Sequence, residues 1–318
     1  MKNKYLFIIY SFIKKYKSCT VKFLCITLGL AIYSCTESYD VNFKNYEPKL
    51  VVDAQILDID TIHYICLTLS KSSFQSYQEM DGKDHPTAIE HFEPVKDAQV
   101  QVIENAEDTF NFVNKNLNIE YSKKTKENGY YWSKTLKIKA GNTYTLKINW
   151  QNKEYTSSCY VNQVPKIDTV TFELKDAPSI GKEKFRIPYI WFKDNPATKD
   201  YYLFLTNNAG NAVWSRAILD DEFLASEVKG IDVFKGESIL YWRNAYPYEH
   251  WGVRIEMHSI SKEVYEYYKA LIGQFRNDGG VYTPSPSSPP SNISNGALGF
   301  FRVSTVEVCD IPPTPYGP

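Results

Sequence analysis

The run Thr143-Tyr144-Thr145-Leu146-Lys147-Ile148-Asn149-Trp150 exchanges polar and apolar side chains at every step. That is the period of a strand with one face buried. A second strand-like run, 155–161, follows after only Gln151-Asn152-Lys153-Glu154. So short a polar link between two such runs predicts a hairpin, and hence antiparallel pairing. The same chemistry recurs upstream at 49–54, 64–70 and 99–103, with no helical period between the runs. Strands at this spacing predict an antiparallel β-sandwich, Ig-like or transthyretin-like, over residues 48–165.

Val164-Pro165 marks its expected end, because a proline cannot donate to a ladder. A second β-rich domain is expected over 166–318, with strands near 169–174, 187–192, 201–205, 239–242 and 253–257, and a last one over 300–308. Only 262–276 is convincingly helical. Its apolar positions Val264, Tyr268, Leu271, Ile272 and Phe275 fall on one face, Ser261 suits the N-cap, and Asp278-Gly279-Gly280 ends it. That stripe reads as core packing. The Pro/Ser-rich stretch 282–291 reads as an extended loop. The chain is thus expected to be mainly β, a sandwich followed by a β-rich domain with one amphipathic helix.

The N-terminal end carries a different signal. Lys14, Lys15, Lys17 and Lys22 precede the apolar run Phe23 to Ser34, which closes on Cys35. A basic segment, about a dozen apolar residues and a small residue at the cut site form a signal peptide. Ile32-Tyr33-Ser34-Cys35 resembles the bacterial lipobox, with an aliphatic residue three places before the cysteine and a small one directly before it. Residues 1–34 therefore read as a lipoprotein leader, Cys35 as the acylated N-terminus, and 35–47 as a polar tether. Tyr33 is unusual at its position, which leaves an ordinary signal peptide with a coincidental cysteine as the alternative. A transmembrane anchor is excluded by length, since about 20 apolar residues are needed to span a bilayer.

The whole chain has 36 basic and 37 acidic side chains. The leader takes six lysines and no acid with it, leaving a mature part near −7 with no basic stripe. Nucleic acid is not an expected partner. Beyond Cys35, the mature chain keeps Cys66, Cys159 and Cys309, none in CxxC spacing. A disulfide scaffold or zinc ribbon is unlike this pattern. One disulfide among the three stays open, but Cys66 and Cys159 lie in strand-like runs and read as buried small hydrophobes.

Reactive chemistry is sparse. The five histidines form no HExxH, and neither a GxSxG elbow, a P-loop nor a GxGxxG is present. No enzymatic activity and no cofactor are expected. The densest polar loop includes Asp81, Asp84, His85 and His91, whose carboxylates and imidazoles could hold a divalent metal. Lys83 stands where a calcium loop wants an acidic or amide ligand, so the segment reads as a solvated loop. A recognition surface is better suggested by Tyr241, Trp242, Arg243, Tyr246, Tyr248 and Trp251, residue types that dominate binding hot spots and that stack on glycans or extended peptides. The alternative is that these rings fill the second core.

Several segments in order resemble one family: Pro48-Lys49-Leu50-Val51-Val52-Asp53-Ala54, Leu69-Ser70-Lys71-Ser72, Val95-Lys96-Asp97-Ala98-Gln99-Val100, Gly141-Asn142-Thr143-Tyr144-Thr145-Leu146, Val164-Pro165-Lys166-Ile167-Asp168-Thr169-Val170 and, most distinctive, Asn292-Ile293-Ser294-Asn295-Gly296-Ala297-Leu298-Gly299-Phe300-Phe301. The chain is similar to Bacteroidota outer-membrane lipoproteins catalogued as a domain of unknown function and commonly encoded beside SusC-like TonB-dependent receptors. The resemblance implies a location and a neighbour but no catalytic residue. Asp60-Thr61-Ile62 and Asp168-Thr169-Val170 look like the O-glycosylation triplet of that phylum, at Thr61 and Thr169, although both sit at expected strand starts. The combined expectation is a non-enzymatic outer-membrane lipoprotein, held by its N-terminal lipid, that captures a ligand for a TonB-dependent transporter or docks on it. A structural or adhesive envelope role is the alternative.

Overall fold

The computed structural model describes residues 47–60, 62–70, 93–115, 126–176, 184–208, 215–233, 252–275 and 288–312. Eight strands come first: β1 (Leu50–Leu57), β2 (His63–Leu69), β3 (Glu93–Pro94), β4 (Gln99–Glu104), β5 (Asp108–Phe112), β6 (Tyr130–Ser133), β7 (Thr143–Trp150) and β8 (Lys153–Tyr160). One sheet runs β5-β4-β7-β8, and a second centres on β1 and β2, with β3 and β6 sharing the outer edge of β2. Alternate residues of both sheets meet in one core, where Val52, Ile56, Leu67, Val102, Leu146 and Ile148 are almost wholly buried. Each such side chain contributes about 1.5–3 kcal/mol relative to exposure. Backbone bonds between Val113 and Trp132 in both directions (2.9 and 3.0 Å) tie the two sheets along one side.

The predicted hairpin is present but tighter than the sequence suggests. Only Gln151 and Asn152 form the turn, both with positive φ (48° and 59°), and β8 already begins at Lys153. Asn105 and Ala106 (50° and 63°) make the equivalent turn between β4 and β5. Two-residue turns with both central φ positive match the twist of paired strands, and so outcompete the four-residue link.

The second half contains β9 (Ile167–Asp176), β10 (Lys184–Lys193), β11 (Tyr201–Asn208), β12 (Ser215–Asp220), β13 (Glu227–Asp232), β14 (Val253–Ile260), helix α1 (Lys262–Phe275), β15 (Leu298–Ser304) and β16 (Val306–Ile311). Sheets β13-β10-β9 and β12-β11-β14-β16 face each other across a core that includes Ile190, Phe192, Tyr202, Phe204, Ile255 and Met257. Strands β5, β12 and β13 are absent from the sequence expectation, because their apolar alternation is weak. Helix α1 starts as predicted, with Ser261 Oγ accepting from Val264 N (3.4 Å). Its stripe packs Val264, Tyr268 and Ile272 inward, and Tyr268 meets Leu203, Ile260 and Phe300 in a third cluster.

The expected single last strand is corrected to two. β15 pairs parallel with β1 in the first half, whereas β16 pairs antiparallel with β14 in the second. Thr305 sits at the break: its hydroxyl donates to Asn162 O (2.7 Å) and accepts from Val164 N (2.8 Å), while its carbonyl accepts from Ser259 N (3.1 Å). Val161 belongs to the first core and Val164 to the second, but Ile293, Ala297, Phe301 and Val303 belong to the first again. Asn292 clamps this return through both side-chain atoms to Phe301 N and O (2.9 and 2.8 Å). Gly299 is required there. Its φ is +91°, and a Cβ would lie 2.0 Å from Val52 O.

None of Cys66, Cys159 and Cys309 forms a disulfide. Cys159 is buried in the first core, as its strand position predicts, and burial pushes its thiol up to about 11. Cys66 and Cys309 are only partly buried. No described helix is long and apolar enough to cross a membrane.

Candidate functional site

The densest functional chemistry among the described residues lies where β10, β11 and β12 end or begin. After β10, Asp194-Asn195-Pro196-Ala197-Thr198 turns tightly, with Asn195 Oδ1 accepting from Ala197 N (3.1 Å) and Asn195 O from Thr198 N (3.1 Å). That turn delivers Lys199 and Asp200 to the start of β11. Opposite, Asp220 caps the 3₁₀ turn Asp221–Phe223 by accepting from Glu222 N (2.9 Å). Side-chain oxygens of Asp194, Asp200 and Asp221, all buried, lie within 4.8 Å of one another.

Each carboxylate is nonetheless engaged. Asp194 accepts from the Tyr202 hydroxyl (2.5 Å). Asp200 accepts from Asn162 Nδ2 (2.7 Å) and Thr198 Oγ1 (2.5 Å). Asp221 accepts from Asp200 N (2.6 Å) and pairs with the Lys199 ammonium (2.8 Å), which also meets Asp220. Burial, and then the neighbouring charges of Asp221 and Asp200, raise Asp194 above the usual carboxylate range despite the Tyr202 bond. Burial also raises the Tyr202 phenol, with the Asp194 hydrogen bond adding to it. Asp220 is lowered: desolvation works against this, but the Lys199 bond, the Glu222 N–H and the Lys199 and Lys269 charges together outweigh it.

These oxygens are hard donors of the kind calcium or magnesium takes. In this arrangement, however, Lys199 supplies the cation, and backbone, hydroxyl and Asn162 amide donors fill the rest. The result is a rigid acidic floor under an open groove of about 720 Å³. Glu222, Lys262, Glu266 and Lys269 rim that groove together with Lys199 and Asp220. The Tyr201 and Tyr265 rings lie 5.1 Å apart, with Lys199 over one and Lys269 over the other. Such a surface offers mixed charge and the Tyr201 ring, and its openness suits docking better than enclosure of a small molecule. Neither described histidine, His63 nor His258, shares a hydrogen bond with a serine, threonine or cysteine side chain.

The residues singled out from the sequence fall elsewhere. Cys35, Thr61, the loop bearing Asp81, Asp84, His85 and His91, and the segment with Tyr241, Trp242, Arg243, Tyr246, Tyr248 and Trp251 all lie outside the described residues. Thr169 is described: it is exposed on β9, opposite Trp191 of β10. The Asp194–Asp200–Asp221 constellation was not anticipated. Its only linear traces are the turn 194–200 and the acidic run 220–222, and nothing in either says that the two meet.

No curated protein matches the sequence. A family pattern covers residues 36–308, nearly all of the chain beyond Cys35, and the chain belongs to that family, the domain of unknown function DUF4249.

Proposed function

We propose that this is a lipid-anchored protein of the bacterial outer membrane that works without catalysis, as a ligand-capturing or docking accessory of a TonB-dependent transporter. The observation that carries the reading is a coincidence of boundaries. The lipobox ends at Cys35, and the family pattern begins at residue 36. A leader that stops where the family pattern starts is what removal and acylation at Cys35 would require. Two or three acyl chains would hold the domain firmly, at about 0.8 kcal/mol per buried CH2.

The fold supports the second half of the reading. A β scaffold with a groove of mixed charge and a tyrosine ring offers recognition chemistry, and its buried carboxylates are engaged in hydrogen bonds and an ion pair beneath that groove. The Bacteroidota origin and the SusC-like neighbour rest on the resemblance of the sequence. Tagged protein purified from native membranes in mild detergent should bring a TonB-dependent receptor with it. Recovery of the protein without any such receptor would overturn the partnership. A gene deletion that changes surface attachment, with growth on every nutrient unaltered, would favour an adhesive role instead.

A further inference from the structure

β12 forms one edge of its sheet, pairing with β11 and, among the described residues, with no other strand. A cavity of about 300 Å³ lies against it. Its walls are the four successive residues Arg216 to Leu219 of β12, residues 231–233 at the end of β13, and Lys269, Ile272 and Gly273 of α1. Successive strand residues point to opposite faces. A space that touches four in a row therefore lies along the strand's edge, where backbone as well as side chains is presented.

The ladder fixes which backbone groups those are. Asp221 N donates to Asp200 O (3.3 Å), so these facing residues form a hydrogen-bonded pair. In an antiparallel ladder bonded and non-bonded pairs alternate. Leu219 and Ala217 therefore spend their N–H and C=O groups on Tyr202 and Phe204. Ile218 and Arg216, opposite Leu203 and Leu205, turn theirs away from β11 and toward the cavity. Neither makes another hydrogen bond or ion pair among the described residues.

The side chains along this edge are apolar on both faces: Ala217 and Leu219 face the second core with Val233, and Ile218 faces the cluster under α1. Charge stands at the rim. The Arg216 guanidinium is exposed, Lys269 has Glu266 at 3.8 Å, and Asp232 is already engaged. Gly273 is the odd residue. Glycine weakens a helix interior, yet its φ here is not positive and a Cβ would meet nothing within 4 Å. Packing does not ask for glycine, but a long side chain there would narrow the cavity.

We propose that this edge of β12 takes an extended peptide as an added strand, with apolar side chains in the cavity and an acidic one against Arg216. An alkyl chain would cover the free N–H and C=O groups without pairing them, whereas a peptide supplies donors and acceptors at the same spacing. The unpaired guanidinium selects a carboxylate among the peptide's side chains. The site gives a chemical class to the docking partner proposed above, and rests on that reading only for who supplies the peptide.

Panning a phage-displayed library of random octapeptides on the full chain, with Gly273→Leu as the counter-target, tests the proposal. Enriched peptides should alternate apolar residues and carry Asp or Glu. Made synthetically, they should bind about tenfold more tightly than their Lys-substituted forms, and Arg216→Glu should reverse that preference. Backbone N-methylation at every second residue should abolish binding in one of its two phases and spare it in the other. Gly273→Leu should lose binding while its Tm stays level or rises. No enrichment, peptides that bind both proteins alike, or N-methylation without effect would overturn the proposal. Peptide binding without a receptor in the membrane purification would leave the site standing and remove the transporter as its source.

Discussion

Replacing Gly299 by alanine separates two costs that glycine avoids. The first is conformational: at φ +91° an L side chain crowds its own backbone, at about 1–2 kcal/mol. The second is steric. The new Cβ would stand 2.0 Å from Val52 O and 2.9 Å from Val52 C, so β15 must move away from β1 by more than an ångström. That opens the parallel ladder at its first pairs, and each lost hydrogen bond costs about 1 kcal/mol. Together, Gly299→Ala should destabilise the protein by roughly 3–5 kcal/mol. Gly141→Ala is the matched control, because its φ is +84° but nothing lies within 4 Å of the added Cβ. It should lose only the conformational part. Urea unfolding gives both values. A second readout follows from Cys159, whose Sγ lies 3.5 Å from Val303 O on β15. Thiol labelling mapped by peptide mass should accelerate at Cys159 in Gly299→Ala and not in Gly141→Ala. Equal stability of the two variants, with Cys159 still protected, would refute the reasoning.

Burial pushes His258 down to about 4, and the Arg302 charge adds to the lowering against the raising effect of Glu256. Between pH 6.5 and 4 the unfolded chain therefore binds the extra proton, and stability should fall by about 3 kcal/mol as pH drops through that window. The acid limb of a pH–stability curve should flatten in His258→Gln, and an unchanged limb would exclude this histidine as its source. Tyr202→Phe removes the 2.5 Å bond to Asp194 and should cost about 1–3 kcal/mol in urea unfolding; a loss below half of that would mean that Asp194 finds another donor. Metabolic labelling with a clickable fatty acid should mark the wild type and leave Cys35→Ala unmarked. Equal labelling of the two would refute acylation at Cys35.

Legibility varied with the range of the interaction responsible. The strands at 99–103 and 143–150 were readable because one-sided burial writes itself as alternation, and 201–205 because burial on both faces leaves a continuous apolar run. Ser261 and the stripe from Val264 to Ile272 were readable because a helix and its cap are local. Strand β5, Asp108-Thr109-Phe110-Asn111-Phe112, was missed because it is largely exposed, and only Phe112 is deeply buried. The hairpin turn was placed correctly but drawn too long, since four polar residues do not reveal which two take positive φ. The acidic constellation was invisible: Asp194 and Asp221 are far apart in sequence, and only the antiparallel pairing of β11 with β12, which sets Tyr201 opposite Asp220, brings Asp200 beside Asp221.

By itself, the sequence determined the β character, the amphipathic helix that begins at Lys262 and its register, and the want of a catalytic motif. Each depends on residues within about one element of each other, where propensity and periodicity act directly. Tertiary structure alone decided that the last strand breaks at Thr305 and serves both halves, that Gly299 must lack a side chain because Val52 O lies against it, and that Arg302 is buried. The run Leu298 to Ile311 looks continuous because apolar alternation does not say which sheet a strand joins. That choice belongs to distant partners: Val52 on β1 and Asp58 just after it, which accepts from Val306 N (2.8 Å), Asn162 midway along the chain, and Ser259 on β14.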